Sequence, residues 1–481
     1  MAVIGVASAQ PAPAPGAAQT LTLDGDLRWI GSALTDFPVD GEGTTLGQGA
    51  WLDQRLRVGG AVHPDPQWTL ATEWDLFTGQ VAGDTWAVAG GIDARHRESL
   101  GAFSLEGIRP RRASVAVQAG PMQIEAGLVT SNWGLGMVAN DGATDPLFGR
   151  SDFGDRVVRL RLSRLPAGLR ATGRGVVLTA AADWVIQDDT AAFSDDQLAF
   201  QGIASALAID GKRRFGTYLV LRHQLEPDRT RTTDAGVLDA FATAPGTLGE
   251  WAFAPSVEAA GIVGRTDRAT TYGAREVVGV ASLGLAAAVA LTDPTDLATV
   301  HLRAGYASGD GDPDDGVSSD FTFDRDFAVG MVLFDQVLGG VEAATYNLLA
   351  DPAHAGQTPD GADATVTEGA FRRAAFLQPA VELTPGPVDL AAGVVFAVAT
   401  APYMQPFYSF RGGGTPYNQH DLPSEGRLLG TELDWRAGVH GGPSDALSVV
   451  VEGGHLILGR PLRGAGPNVI HLATVTGRVR W

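Results

Sequence analysis

Asn468-Val-Ile-His-Leu-Ala-Thr-Val-Thr-Gly-Arg-Val-Arg-Trp481, the stretch on which the sequence ends, decides the fold when it is read in twos. Val469, His471, Ala473, Val475, Gly477, Val479 and Trp481 share one face, while Thr474, Thr476, Arg478 and Arg480 share the other. A period of two, with one apolar and one wet face, marks a β-strand. A soluble antiparallel sheet could also end this way, so the rest of the sequence must discriminate.

The same grammar recurs from the other end. Leu21, Leu23, Leu27 and Trp29 alternate with Asp24, Asp26 and Arg28, and Leu52, Leu56 and Val58 alternate with Asp53, Arg55 and Arg57. Trp68, Leu70, Trp74 and Leu76 then oppose Glu73 and Asp75. Tight turns such as His63-Pro-Asp-Pro66, Ala119-Gly-Pro-Met122 and Thr384-Pro-Gly-Pro387 close some connections. Long irregular segments, near 34–49, 78–103, 131–155, 309–370 and 401–426, make others. Short and long connections alternate, the pattern of a transmembrane antiparallel up-and-down β-barrel with short turns at one end and long loops at the other. The parity predicts an all-β chain of 18 strands, or 16 if the weak tenth strand near 233–243 and its hairpin are dropped. Pro379 falls inside an otherwise regular strand and predicts a bulge there.

Composition agrees. The 481 residues contain no Cys, 63 Gly and a formal charge of −20. Absence of Cys excludes a disulfide scaffold and thiolate metal sites. So acidic a chain offers no basic stripe for nucleic acid. No run of 18 apolar residues exists, which argues against a transmembrane helix. Residues 1–19 read as the remnant of a signal peptide, with Ala7-Ser-Ala9 as its cleavage site, followed by a Pro/Ala-rich leader. Residues 20–481 are then one barrel domain.

The apolar faces carry scarcely a charge at mid-strand, as lipid contact requires: an Arg at the bilayer midplane costs about 2–4 kcal/mol. Trp29, Trp74, Trp184, Trp435 and Trp481 are expected at strand ends, in an aromatic girdle. The wet faces then line a lumen. The candidate pore-lining residues are Arg28, Arg55, Arg57, Glu73, Asp75, Glu125, Arg159 and Arg161 from the first half. Arg303, Glu432, Asp434, Arg436, Glu452 and Arg478 come from the second. Such rows can pair and stiffen the wall, or set a transverse field that selects solutes; the mixed signs leave the preferred charge open.

Two loops stand out. Asn132-Trp-Gly-Leu-Gly-Met137 through Asp152-Phe-Gly-Asp155 is dense in Gly, Asp and aromatics, which suits a structured loop at the barrel mouth. Asp310, Asp312, Asp314 and Asp315 resemble a calcium loop, but its glycine is displaced by one and its twelfth position is Phe321. A solvated acidic loop and a surface Ca²⁺ site are the two readings. In the same loop, Phe327 to Leu338 is expected to form a short amphipathic helix, as a plug or lid.

With these runs in view, residues 20–481 resemble large monomeric outer-membrane porins of the alginate-export and substrate-specific kind. The resemblance rests on strand count, on Tyr306-Ala-Ser-Gly-Asp310 before a long loop, and on the aromatic last residue. It implies a bacterial outer-membrane location, contact with lipid and lipopolysaccharide, and recognition of the closing strand and Trp481 by the barrel-assembly machinery. It also implies passive passage of a small polar solute or an oligosaccharide, with no cofactor. Two alternatives are a structural or adhesive barrel with a plugged lumen, and an outer-membrane barrel enzyme. No Gly-x-Ser-x-Gly or His-Glu-x-x-His spacing supports the last.

Overall fold

The computed structural model describes residues 20–46, 50–83, 104–166, 168–227, 229–268, 277–312, 315–351, 353, 366–464 and 466–481. The expected leader, residues 1–19, and Asp314 lie outside these. Among the described residues the main strands are β1 (Thr20–Leu34), β2 (Ala50–His63), β3 (Trp68–Gly83), β4 (Ser104–Ala119), β5 (Met122–Thr130) and β6 (Arg156–Arg164). There follow β7 (Arg174–Gln187), β8 (Leu198–Asp210), β9 (Arg213–Leu225), β10 (Thr232–Thr243), β11 (Trp251–Thr266) and β12 (Val278–Thr292). The last six are β13 (Ala298–Ala307), β14 (Ala374–Leu383), β15 (Val388–Ala399), β16 (Leu428–Gly441), β17 (Leu447–Leu458) and β18 (Val469–Arg480).

Each main strand pairs antiparallel with its sequence neighbours, and two short pieces, Gly246–Leu248 and Val317–Ser318, are appended. The ring closes where β1 pairs with both β2 and β18, Asp26 opposite Arg480 and Leu34 opposite Leu472. Trp481 completes the seam by exchanging backbone hydrogen bonds with Gly25. The eighteen-strand reading holds, and the weak tenth strand is a full member of the wall. Its twelve residues pair with β9 and β11.

The two faces sort as their chemistry requires. Leu23, Leu70, Leu160, Leu221, Leu238, Val263, Leu302, Leu433 and Val475 are exposed on the exterior. An apolar belt this continuous suits hydrocarbon rather than water. Trp68 and Trp251 each begin a strand at the short-turn end, and Trp481 follows the last one there. The girdle differs from expectation at Trp29, Trp74 and Trp435, which sit inside their strands. Each indole N–H is satisfied sideways, by Gln54, Thr72 and His455 respectively, so none needs an interface.

Pro379 makes no bulge. Leu377 faces Phe396 and Ala380 faces Gly393, so the register is kept and only the two pairs between them are missing. The proline lacks an N–H, and the strand accommodates it by dropping those pairs.

The long loops fold inward. The segment between β13 and β14 packs Phe321, Phe323, Phe327, Phe334 and Phe371 into one buried cluster against small wall residues such as Ala260, Ala286, Ala307 and Ala397. The helix in it lies later than expected. A π-helical turn, Leu333–Leu338, leads into α1 (Gly339–Ala350). Gly330, at φ 68°, breaks the run before it; a Cβ there would lie 2.7 Å from Glu432. That carboxylate accepts the N–H groups of Met331, Val332 and Leu333, at 2.5, 2.7 and 2.8 Å, and so caps the start. A second short helix, α2 (Pro406–Arg411), lies in the loop after β15.

Phe371 contacts Phe323, Phe334 and Phe376 with centroids 4.8–5.1 Å apart. Phe371→Ala should therefore loosen the inner loop by about 3–5 kcal/mol while leaving the barrel closed. Protease nicking between residues 315 and 351 should accelerate, and the heat-modifiable gel shift of the folded barrel should persist.

Candidate functional site

Strands β18 and β1 to β7 form an arc of inner wall lined with arginine and carboxylate. Asp26 lies between Arg28 (3.1 Å), Arg55 (3.2 Å) and Arg478. Arg57 pairs with Asp75 at 2.8 Å, Arg159 with Asp183 at 2.6 Å, and Arg161 with Glu125 at 2.6 Å. Planar guanidinium forks match carboxylates in this way at close quarters, so most of the wall's charge is neutralised in place.

Three further arginines were not legible. Glu73 faces Arg112 while Trp74 faces Pro110, which leaves Arg111 as an extra residue in a β-bulge. Two residues on the bulged strand then oppose one, and Arg109, Arg111 and Arg112 all reach carboxylates of the inner wall: Asp75 at 3.4 Å, Glu73 at 2.9 Å and Glu125 at 3.0 Å. Arg111 is only 1% exposed and also donates to the carbonyls of Phe153 (2.7 Å) and Asp141 (2.6 Å).

Those carbonyls belong to the loop between β5 and β6, which lies inside the lumen over this arc. Its Asp145 meets Arg28 (2.8 Å), Arg478 (2.5 Å) and Arg480 (2.9 Å). Asp152 meets Arg55 (2.5 Å) and Arg150 (2.8 Å). On its far side the loop is held by wall carboxylates: Trp133 donates to Asp239 at 2.7 Å, and the Leu135 N–H donates to Glu258.

The opposite wall corrects several expectations. Glu432 and Asp434 are inward but fully buried, and the loop between β13 and β14 rests on Glu432. Arg303 serves the same loop: it donates to the Ala328 carbonyl and Gln378, and stacks on Phe327 at 5.1 Å. Arg436 faces Glu452 across β16 and β17 and reaches the Leu147 carbonyl at 3.5 Å. Of the expected lining, Arg55, Arg57, Asp75 and Glu125 are also buried under salt bridges or loops. The more open charges of this arc are Glu73, Arg112, Asp145, Arg150 and Arg480, with side-chain exposures of 31%, 37%, 38%, 33% and 50%.

Above this level the lumen holds a chamber of about 530 Å³. One side is polar, with Asp188, Tyr218, Arg222, Gln224 and Arg268; the other carries Leu338, Val341, Tyr403, Met404 and Phe410. Its arginines are engaged: Arg222 with Asp188, Arg268 with Glu226, and Arg372 and Arg373 with Asp320. Asp155, Asp189 and Asp324 meet there from three different loops.

Two acidic residues of the 310–315 run, Asp310 and Asp315, turn onto nearby backbone. Asp310 accepts the Asp312 N–H at 3.0 Å, and Asp315 accepts the Val317 N–H at 2.9 Å. Among the described residues no group of three or more His, Asp or Glu is arranged to hold a metal.

Burial dominates the titration of the loop carboxylates. It pushes Asp189 up to about 7, against the pull of Arg325. Burial, then the like charges around them, raises Asp155 and Asp324 well above the usual range. Burial also opposes the charge of Asp152, but Arg150, Arg55 and Arg28 outweigh it and hold that carboxyl well below the usual range. A raised carboxyl favours the packed loops in acid and penalises them once ionised. For Asp189 the penalty accumulates as pH climbs from about 4 and is complete above about 7. Amide exchange in residues 188–190 and 323–326, corrected for intrinsic rates, should thus quicken across this window. Asp189→Asn should flatten the profile and slow exchange at pH 8.

No family model and no curated protein matches the chain. Among solved structures the chain is similar to Pseudomonas aeruginosa OccK8 (OprE), with a TM-score of 0.53 and 7% identity over 96% of this chain and 98% of that one. It is similar to Acinetobacter baumannii OccAB1, with a TM-score of 0.52 and 10% identity over 95% and 96%. A BenF-like porin from Pseudomonas fluorescens Pf-5 aligns at a TM-score of 0.49 and 8% identity over 96% and 98%. At these identities the likeness lies in the path of the backbone: the chain shares the fold of OccK8 and OccAB1 over 96% and 95% of its length.

Proposed function

We propose that this chain is a passive outer-membrane channel for small polar or charged solutes. The observation that carries the reading is the combination of an apolar outer belt, a charged inner wall and a chamber of about 530 Å³ inside that wall. Hydrocarbon takes the belt, and water and solute take the lumen. The in-folded loops narrow a wall that is otherwise wide enough for an open channel. The lining consists of the charges left most open on this arc and its loop, Glu73, Arg112, Asp145, Arg150 and Arg480, backed by Arg28, Arg161 and Arg478. The reading assigns the chain no catalysis. Residues 1–19 are taken as export signal and leader, residues 20–481 as one domain, and lipid and lipopolysaccharide as its surroundings. Trp481 and the closing strand are taken as the element read by the barrel-assembly machinery.

The packed phenylalanine cluster favours a second reading, a structural or adhesive barrel whose lumen is plugged. Reconstitution into planar bilayers separates the two. A channel gives stepwise conductance, and a purified, folded barrel that gives none in any salt sinks the first reading. Within the channel reading, the double variant Arg478→Gln and Arg480→Gln removes two cations facing Asp145. It should move the reversal potential in a salt gradient toward cation preference.

A further inference from the structure

We propose that Arg325 and Asp326, in the loop between β13 and β14, form a latch that positions the loop between β5 and β6. Through Asp152, the latch sets the charge that the wall presents to the lumen. Asp326 is 4% exposed, and its carboxylate accepts three successive N–H groups: Asp152 at 2.7 Å, Phe153 at 3.1 Å and Gly154 at 2.6 Å. Three donors converge on one carboxylate because Gly154, at φ 68°, turns the backbone; a Cβ there would lie 2.2 Å from the Asp141 carbonyl. Such a concavity of N–H groups is an anion nest, here filled by a side chain of another loop.

Arg325 grips the same spot from its other side. Its guanidinium lies over the Phe153 ring at 3.4 Å and pairs with Glu368, and its backbone N–H donates to Asp189 at 2.9 Å. One residue earlier, Asp324 accepts the Asn140 N–H at 2.9 Å. The two loops are thus joined by the three bonds that Asp326 accepts, by the Asn140–Asp324 bond and by the Arg325 guanidinium over Phe153. The held backbone places the Asp152 carboxylate against Arg55 at 2.5 Å and Arg28 at 3.8 Å. Asp326 is therefore a positioning residue: released, it would let Asp152 drift and uncover two wall cations.

The test has two arms, because the selectivity claim rests on the channel reading and the latch does not. In the first, hydrogen exchange by mass spectrometry follows the peptide spanning residues 150–156 in the detergent-folded barrel. Asp326→Ala should raise its exchange on the order of tenfold or more, since hydrogen bonds to charged groups are lost, and Asp326→Glu should restore protection. Unchanged exchange in the alanine variant overturns the latch, whatever the bilayers do.

The second arm compares reversal potentials. Asp326→Asn and Asp326→Ala lose the same charge, but asparagine keeps one acceptor for the nest. The alanine variant should therefore shift further toward anions than the asparagine variant, with noisier open-channel current. Equal shifts overturn the control of selectivity. A wild type that does not conduct at all overturns the channel reading and leaves the exchange result to decide the latch.

Discussion

Closure of the backbone ladder is the constraint on which everything else depends. In hydrocarbon an unpaired N–H or C=O has no water to turn to, so a sheet with open edges is not viable there. The seam between β1 and β18 removes both edges at once, and Trp481 continues it by exchanging bonds with Gly25. Once the ring is closed, alternation becomes geometry: away from the bulges, successive residues along a strand face the apolar belt and the lumen in turn. The apolar belt and the arginine arc are two readouts of one register, and a slip of one residue would exchange them.

The same requirement governs the loops inside the barrel. Irregular backbone taken into the lumen loses water, and its N–H groups need acceptors. Here carboxylates supply them. Glu432 and Glu258 reach out from the wall, while Asp324 and Asp326 bridge loop to loop. A carboxylate accepts without donating and can serve three N–H groups at once, which suits it to gather a turn that forms no ladder. Many of the acidic residues on inward faces are therefore fastenings rather than lining. This accounts for fully buried Glu432 and Asp434 at positions whose spacing alone suggests pore contact.

That distinction marks where the sequence stopped being legible. Strand positions followed from period two, including the weak tenth strand, because lipid on one side and charge on the other leave a strong binary pattern. Arg109, Arg111 and Arg112 escaped because no period-two reading can put them together. A bulge does, and its trace was present in the pattern: Ile108 and Val115 both face outward although they are an odd number of residues apart. The inner loop was expected to hold its helix at Phe327–Leu338. The helical run begins instead after Gly330, where a wall glutamate provides the cap. That cap lies about a hundred residues away in sequence, so local propensity could not place it.

A count of lumen charges therefore misstates what a solute would meet. Arg55 and Arg57 are neutralised at close range by Asp152 and Asp75 and kept from contact by burial, while Arg480 stands half open beside a loop carboxylate. Opposite charges held about 3 Å apart largely cancel at a distance, whereas a half-open charge can still meet a solute directly. The net charge of −20 thus says less about selectivity than the placement of two loop carboxylates, Asp145 and Asp152. Each neutralises wall arginines from a segment that is not part of the wall. The rigid ring fixes where the arginines are, and the loops decide how much of their charge remains.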